Sequence, residues 1–202
     1  VGDLDRTGQF QLIVLLEDGK IQSLRYSDDK RDWESKDLVQ WQGLKADGTE
    51  RLLIAELDNN GSLDIIATNK TAFGVWLSDG KGGFTALPNT SKAHSLSITN
   101  DSTEGRLHPL GISAEGQPTR LRNRGTKNYH WQDFRPRADF VQKGPVTSPA
   151  IGSSRINTFG IGGSQELRAS LLYQHALITE PNLHFGLGEN PQTDAVRYIW
   201  PN

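Results

Sequence analysis

Three stretches of the chain follow one plan, and that repetition limits the fold more than any other feature. GDLDRTGQFQLIVLLEDGKIQSLRY runs from Gly2 to Tyr26, AELDNNGSLDIIATNKTAFGVWLSDGKGGF from Ala55 to Phe84, and TNDSTEGRLHPLGISAEGQPTRLRNRG from Thr99 to Gly125. Each begins with a polar loop ending in glycine: Gly8, Gly61 and Gly105. Each then enters an apolar strand, expected at Leu12–Leu16, Leu63–Ala67 and Leu110–Ile112. A second glycine (Gly19, Gly74, Gly116) marks a turn into a second strand at Ile21–Tyr26, Val75–Leu77 and Thr119–Leu121. The loop glycines are 53 and then 44 residues apart. Strand-only repeats of about 40–50 residues are the signature of propeller blades. Continuous apolar runs such as Leu12–Leu16 predict strands buried on both faces, as stacked blades require. The expected fold class is all-β: a partial β-propeller of about three blades, then a small β-rich domain.

Outside the repeats the signals are coarser. The stretch Asp28–Trp41 reads as a charged loop leading into a strand at Leu38–Trp41, not as a helix. Asn128–Phe140 reads as a strand pair. Gln165–Tyr173 and Ala195–Trp200 read as strands, and GIGG (Gly160–Gly163) and GLGENP (Gly186–Pro191) as tight turns. The expected domains are 1–145 and 146–202. At 202 residues the chain can bury roughly 70% of its unfolded surface without disulfides, and it has no cysteine to make them. A net charge of −2 argues against general attraction to nucleic acid or anionic membranes. No window approaches the roughly 20 apolar residues of a membrane span. Residue 1 is Val and lies beside a motif, which suggests that the true N-terminus is missing. Three blades close no ring, so further blades or another subunit are expected to cover the open edge.

The loops also suggest chemistry. A hard cation such as Ca²⁺ wants six to eight oxygens, and glycine at the sixth loop position permits the sharp bend. The middle loop offers Glu56, Asp58, Asn60, the carbonyl of Ser62, and Asp64. The alternative is a plain Asx-type turn, since carboxylates and Asn favour turns in their own right. The first loop offers Asp3, Asp5, Thr7 and Gln11, with only two carboxylates. The third offers Asn100, Ser102, Glu104 and His108, and imidazole suits a hard ion poorly. Affinity is therefore expected to be greatest in the middle loop, and there only in the weak class of about 10⁻⁴–10⁻³ M.

These residues carry a resemblance. ELDNNGSLDII and the first half of DLDRTGQFQLI resemble the FG-GAP/VCBS repeat, with its Asp-x-Asp/Asn-x-Asp/Asn-Gly-x-x-Asp pattern, and SDGKGGF resembles that family's hairpin. NDSTEGRLHPL has lost most of the acids. The C-terminal GIGG, LHFGLGE and WPN resemble the ASPIC/UnbV domain of cartilage acidic protein and its bacterial relatives, in which a further Gly usually follows. The resemblance implies a secreted, periplasmic or cell-surface protein with adhesive or scaffolding roles, and no catalytic residues.

Other constellations point elsewhere only faintly. The five histidines lack H-x-x-x-H or H-E-x-x-H spacing, and no G-x-S-x-G elbow is present. The basic run Arg120–Arg137, interleaved with Tyr129, Trp131 and Phe134, reads as a structural strand pair, or as a glycan surface in an extracellular protein. Asn69, Asn89 and Asn100 head N-x-S/T sequons. Two functional alternatives stand beside a non-enzymatic interaction module: a glycan-binding module, or the non-catalytic part of a polysaccharide-acting enzyme, using Trp33, Trp41, Trp76 or Trp131, and a structural subunit of a larger surface assembly. The expected partners are a protein or glycan at the cell surface.

Overall fold

The computed structural model describes residues 1–42, 44–88, 91–101, 103–138 and 157–201. Ser102, Asn89, Asn202 and the expected boundary between 145 and 146 lie outside the described residues. The fold is all-β: among the described residues there is no helix and 49% are in strands. Among the described residues fifteen strands form five antiparallel sheets: β1 (Leu12–Leu15), β2 (Lys20–Ser27), β3 (Asp32–Gln40), β4 (Arg51–Ala55), β5 (Asp64–Thr68), β6 (Phe73–Ser78), β7 (Phe84–Ala86), β8 (His94–Asp101), β9 (Arg106–Ile112), β10 (Pro118–Arg120), β11 (His130–Phe134), β12 (Ser164–Ala169), β13 (Leu172–Leu177), β14 (Leu183–Gly188) and β15 (Ala195–Ile199).

Each of the three repeats supplies two strands to one meander (β1 and β2, β5 and β6, β9 and β10), within the sheets β1-β2-β3, β4-β5-β6-β7 and β10-β9-β8. The C-terminal region adds β13-β12-β15 and the pair β11-β14. Among the described residues no barrel or propeller ring closes.

The middle sheet is the centre of the stack. Successive residues of a strand point to opposite faces, and β5 is buried along its whole length. Ile65 packs with Leu4, Ile21, Trp41 and Trp76 toward the first sheet. Ile66 packs with Leu57 and Val75, against Ile98 and Leu107 of the third. Each isoleucine contributes about 1.5–3 kcal/mol by leaving water. The expectation of two-sided burial thus holds for β5 and fails for the run at Leu12–Leu16. Leu12 is 41% exposed, because the first sheet has a neighbouring sheet on one face only among the described residues, and Ile13 and Leu15 serve that face.

Several local expectations need correction. The strand expected at Leu38–Trp41 is the end of a longer one: β3 occupies Asp32–Gln40, where a charged loop was expected, and pairs with β2 from Ser27↔Asp32 to Lys20↔Gln40, with one register shift between Ile21 and Gln22. Its alternating charges face water. Gly74 lies within β6, and the turn before it is made by Asn69, whose side-chain oxygen accepts from the Thr71 and Ala72 amides at 3.0 and 2.8 Å. Gln165–Tyr173 is a hairpin, reversed at Ser170 with φ +54°. The Gly186–Gly188 segment is strand, not turn. Residues 130–134 form one strand whose partner is β14, through ladder pairs such as Asp133↔His184. That ladder joins residues on either side of the expected boundary. Trp41 and Trp76 are 5% and 7% exposed, core residues and no platform for a sugar. No described helix is long and apolar enough to cross a membrane.

Candidate metal centre

The three glycine loops point at the C-terminal sheets. Tyr173 fills the space where Gly8 would carry a Cβ, and His175 Nδ1 lies 2.8 Å from the Gly8 carbonyl oxygen. A Cβ on Gly61 (φ +84°) would lie 2.6 Å from Leu172. One on Gly105 would lie 1.8 Å from the Trp131 ring. Sequence reading explained these glycines by the bend alone. The close approach of a second unit is an added reason for them, and nothing local in the sequence signals it.

Within the middle loop the hydrogen bonds are those of a tight acidic turn. The Asn60 amide donates to Glu56 Oε1 at 3.1 Å and to Asp58 Oδ1 at 3.2 Å. Asp64 accepts from the Leu57 amide at 2.7 Å and the Ser78 amide at 2.8 Å. Asp64 thus ties the loop to β6. The first loop repeats this arrangement: the Thr7 amide donates to Asp3 at 3.0 Å and Asp5 at 3.3 Å. There Gln11, in the place of Asp64, accepts from the Leu4 amide at 3.2 Å. Equivalent loop positions therefore do equivalent work in the two repeats.

The loops part company in their charge. Ligand oxygens of Glu56, Asp58 and Asp64 all lie within 4.8 Å of one another. Glu56 is 3% exposed and Asp64 fully buried. Burial pushes the Asp64 carboxyl up to about 7, against the amide hydrogen bonds that favour its charge. Burial, then the charges of Asp64 and Asp58, push Glu56 well above the usual carboxylate range. Three buried oxygens here have no hydrogen-bond partner among the described residues: Glu56 Oε2, Asn60 Oδ1 and Ser62 Oγ. Buried polar atoms are ordinarily paired, and a hard cation is one way to satisfy orphaned oxygens and crowded carboxylates together. The residues fit such a group, and Glu56, Asp58 and Asp64 could hold a metal ion. For Ser62 the structure singles out the hydroxyl oxygen as the orphan, where the loop pattern had pointed to the carbonyl.

Two residues outside the motif complete the surroundings. Lys127 Nζ lies 3.2 Å from Asp58 Oδ2 and offsets part of the charge. Asn59, at φ +61°, is gripped from three sides by Gly105, His184 and Gly188. Lys127 lies in the basic run, yet nothing in the spacing from Asp58 foretells the contact.

Among the described residues, neither remaining loop gathers three metal-ligating side chains. In the first, both Asp3 oxygens accept amides, from Thr7 and Gly8, and Asp5 faces Arg25 at 3.4 Å. In the third, Glu104 pairs with Arg122 at 2.8 Å and His108 Nδ1 accepts from the Asn123 amide at 2.9 Å. No family model matches the chain, and no curated protein gives a significant match.

Proposed function

We propose that this chain is a non-enzymatic interaction module whose middle loop binds calcium. It comprises consecutive blades of an FG-GAP/VCBS-type propeller joined to an ASPIC/UnbV-like β unit. The observation that carries this reading is the cluster of Glu56, Asp58 and Asp64, with three orphaned oxygens beside it. The stacking of three meanders, with equivalent loops turned to one side, supports the propeller assignment. Calcium here acts as a staple, because each candidate ligand belongs to a loop that ties sheet to sheet. A weak oxygen site fills only where calcium is plentiful, which favours the extracellular space, the periplasm or the cell surface. Further blades or another subunit would cover the outer face of the first sheet. Isothermal titration of the chain with calcium tests the reading: it requires one saturable site, lost in Glu56→Gln. Absence of a site in the unmodified chain would remove it.

A second reading has its own observation. Tyr26 and Trp33 are 47% and 53% exposed, directly paired across β2 and β3, with ring centroids 5.7 Å apart. Adjacent exposed aromatics are suited to stacking on sugar rings. Binding on a glycan array that Trp33→Ala abolishes would support glycan recognition; an array without hits would dismiss it.

A further inference from the structure

A second cleft borders the acidic loop, between the middle and third sheets. The cleft there has a volume of about 570 Å³, within the range of small-molecule sites. Its floor is apolar. Val75 and Leu77 come from β6 and Leu57 from the middle loop, and Pro109 of β9 and Leu121, just after β10, close it from the other side. Leu87, 41% exposed, stands among the lining residues.

The charged groups around this floor are mostly of one sign. Arg106, Arg122, Arg124 and Lys127 line the cleft against a single carboxylate, Asp58. Two of these cations are already engaged: Lys127 with Asp58, and Arg122 with Glu104. Arg106 and Arg124 make no ion pair among the described residues. The strap bearing three of the four is held firmly. Asn123 donates from its side chain to the carbonyls of Leu57 at 2.6 Å and Leu107 at 3.2 Å, one in each sheet region. Its side-chain oxygen accepts the Gly125 amide at 2.9 Å. The cationic wall is therefore pre-positioned over the apolar floor, which reduces the ordering cost of binding an anion.

We propose that this cleft binds a small organic anion with an apolar body, such as a medium-chain carboxylate. The chain of the ligand lies on Leu57, Val75 and Leu77, and its head group faces Arg106 and Arg124. Guanidinium is the side chain best matched to a carboxylate, through two parallel hydrogen bonds. Charge complementarity selects this occupant over a neutral or cationic amphiphile of equal length. The proposal does not rest on the cation site.

The test is calorimetric titration of the full chain, in EDTA, with laurate below its micelle concentration and with dodecylammonium as the same chain bearing the opposite charge. Saturable one-to-one binding of laurate is expected, with dodecylammonium at least about tenfold weaker. The double substitution Arg106→Gln/Arg124→Gln is expected to weaken laurate about tenfold or more. Leu87→Asp, at an exposed position, is expected to do the same by repulsion. Circular dichroism and melting confirm that each variant is folded. Absence of saturable laurate binding, equal binding of the two amphiphiles, or binding unchanged in both variants would overturn the proposal. Light scattering covers the other occupant: a dimer that Leu87→Asp dissolves would give the cleft to a second copy of the chain and likewise overturn it.

Discussion

His184 Nε2 lies 2.8 Å from Asn59 Oδ1. The Asn59 amide group donates to the Gly105 carbonyl at 2.8 Å, which fixes its oxygen toward the imidazole and makes Nε2 the donor. Nδ1 of the same ring lies 2.8 Å from Asp133 Oδ1, and Trp131 stacks on it at 5.8 Å. Asn59 thus joins the middle loop to the third loop, and His184 of β14 joins it to β11. The loop that gathers the carboxylates is held from outside by this joint.

The joint should behave as a coupled unit. Asn59→Gly keeps the left-handed backbone and removes only the side chain. It and His184→Ala are each expected to cost about 1–3 kcal/mol. A double-mutant cycle by urea denaturation should show a coupling of about 0.5–3 kcal/mol. Strict additivity would show that the hydrogen bond carries no energy.

Gly61→Ala is expected to destabilise the fold by about 1–3 kcal/mol or more, through its positive φ and its clash with Leu172. Adding Leu172→Ala should recover the steric part only. Melting temperatures of the two single variants and the double variant check this, and a neutral Gly61→Ala would contradict the close approach of the C-terminal hairpin.

Ile66→Ala should cost about 2–5 kcal/mol, since it opens a cavity between the middle and third sheets. Leu12→Ala should cost no more than about 0.5–1 kcal/mol, because that side chain stands largely in water. Comparable losses by chemical denaturation would mean that the first sheet has cover on its outer face.

Legibility from sequence followed the range of the forces involved. The repeat, its two strands after each glycine loop and the acidic loop depend on neighbours a few residues apart, so their spacing was readable. β3 escaped because charged residues on a water-facing strand look like a loop when the partner strand is unknown. The pairing of β11 with β14, the grip of His184 on Asn59 and the approach of Lys127 to Asp58 span 51 to 125 residues. No local pattern encodes them. Leu12–Leu16 misled for a related reason: hydrophobic composition reports what can be buried, not how many sheets arrive to bury it.

The pH dependence follows from the buried carboxylates. Asp64 holds its proton up to about pH 7 when folded, against an ordinary value of 3.8. Between these values the folded state binds more protons than the unfolded one, so stability falls as pH rises. Glu56, shifted in the same direction, adds to the slope. In EDTA the melting temperature should therefore decrease from about pH 4 toward pH 7, and Glu56→Gln should flatten the decline. A melting temperature that rises steadily through this window would contradict the assignment of these groups.

The most direct measurement is the melting temperature at neutral pH in 10 mM calcium and in EDTA, for the unmodified chain and for Glu56→Gln. A site in the stronger part of the weak class would be near-saturated and would add about 2.7 kcal/mol, raising the melting temperature by about 5–10 °C. Glu56→Gln should melt at the same temperature in both buffers. Identical melting of the unmodified chain with and without calcium would contradict the claim that the acidic loop is built around a cation.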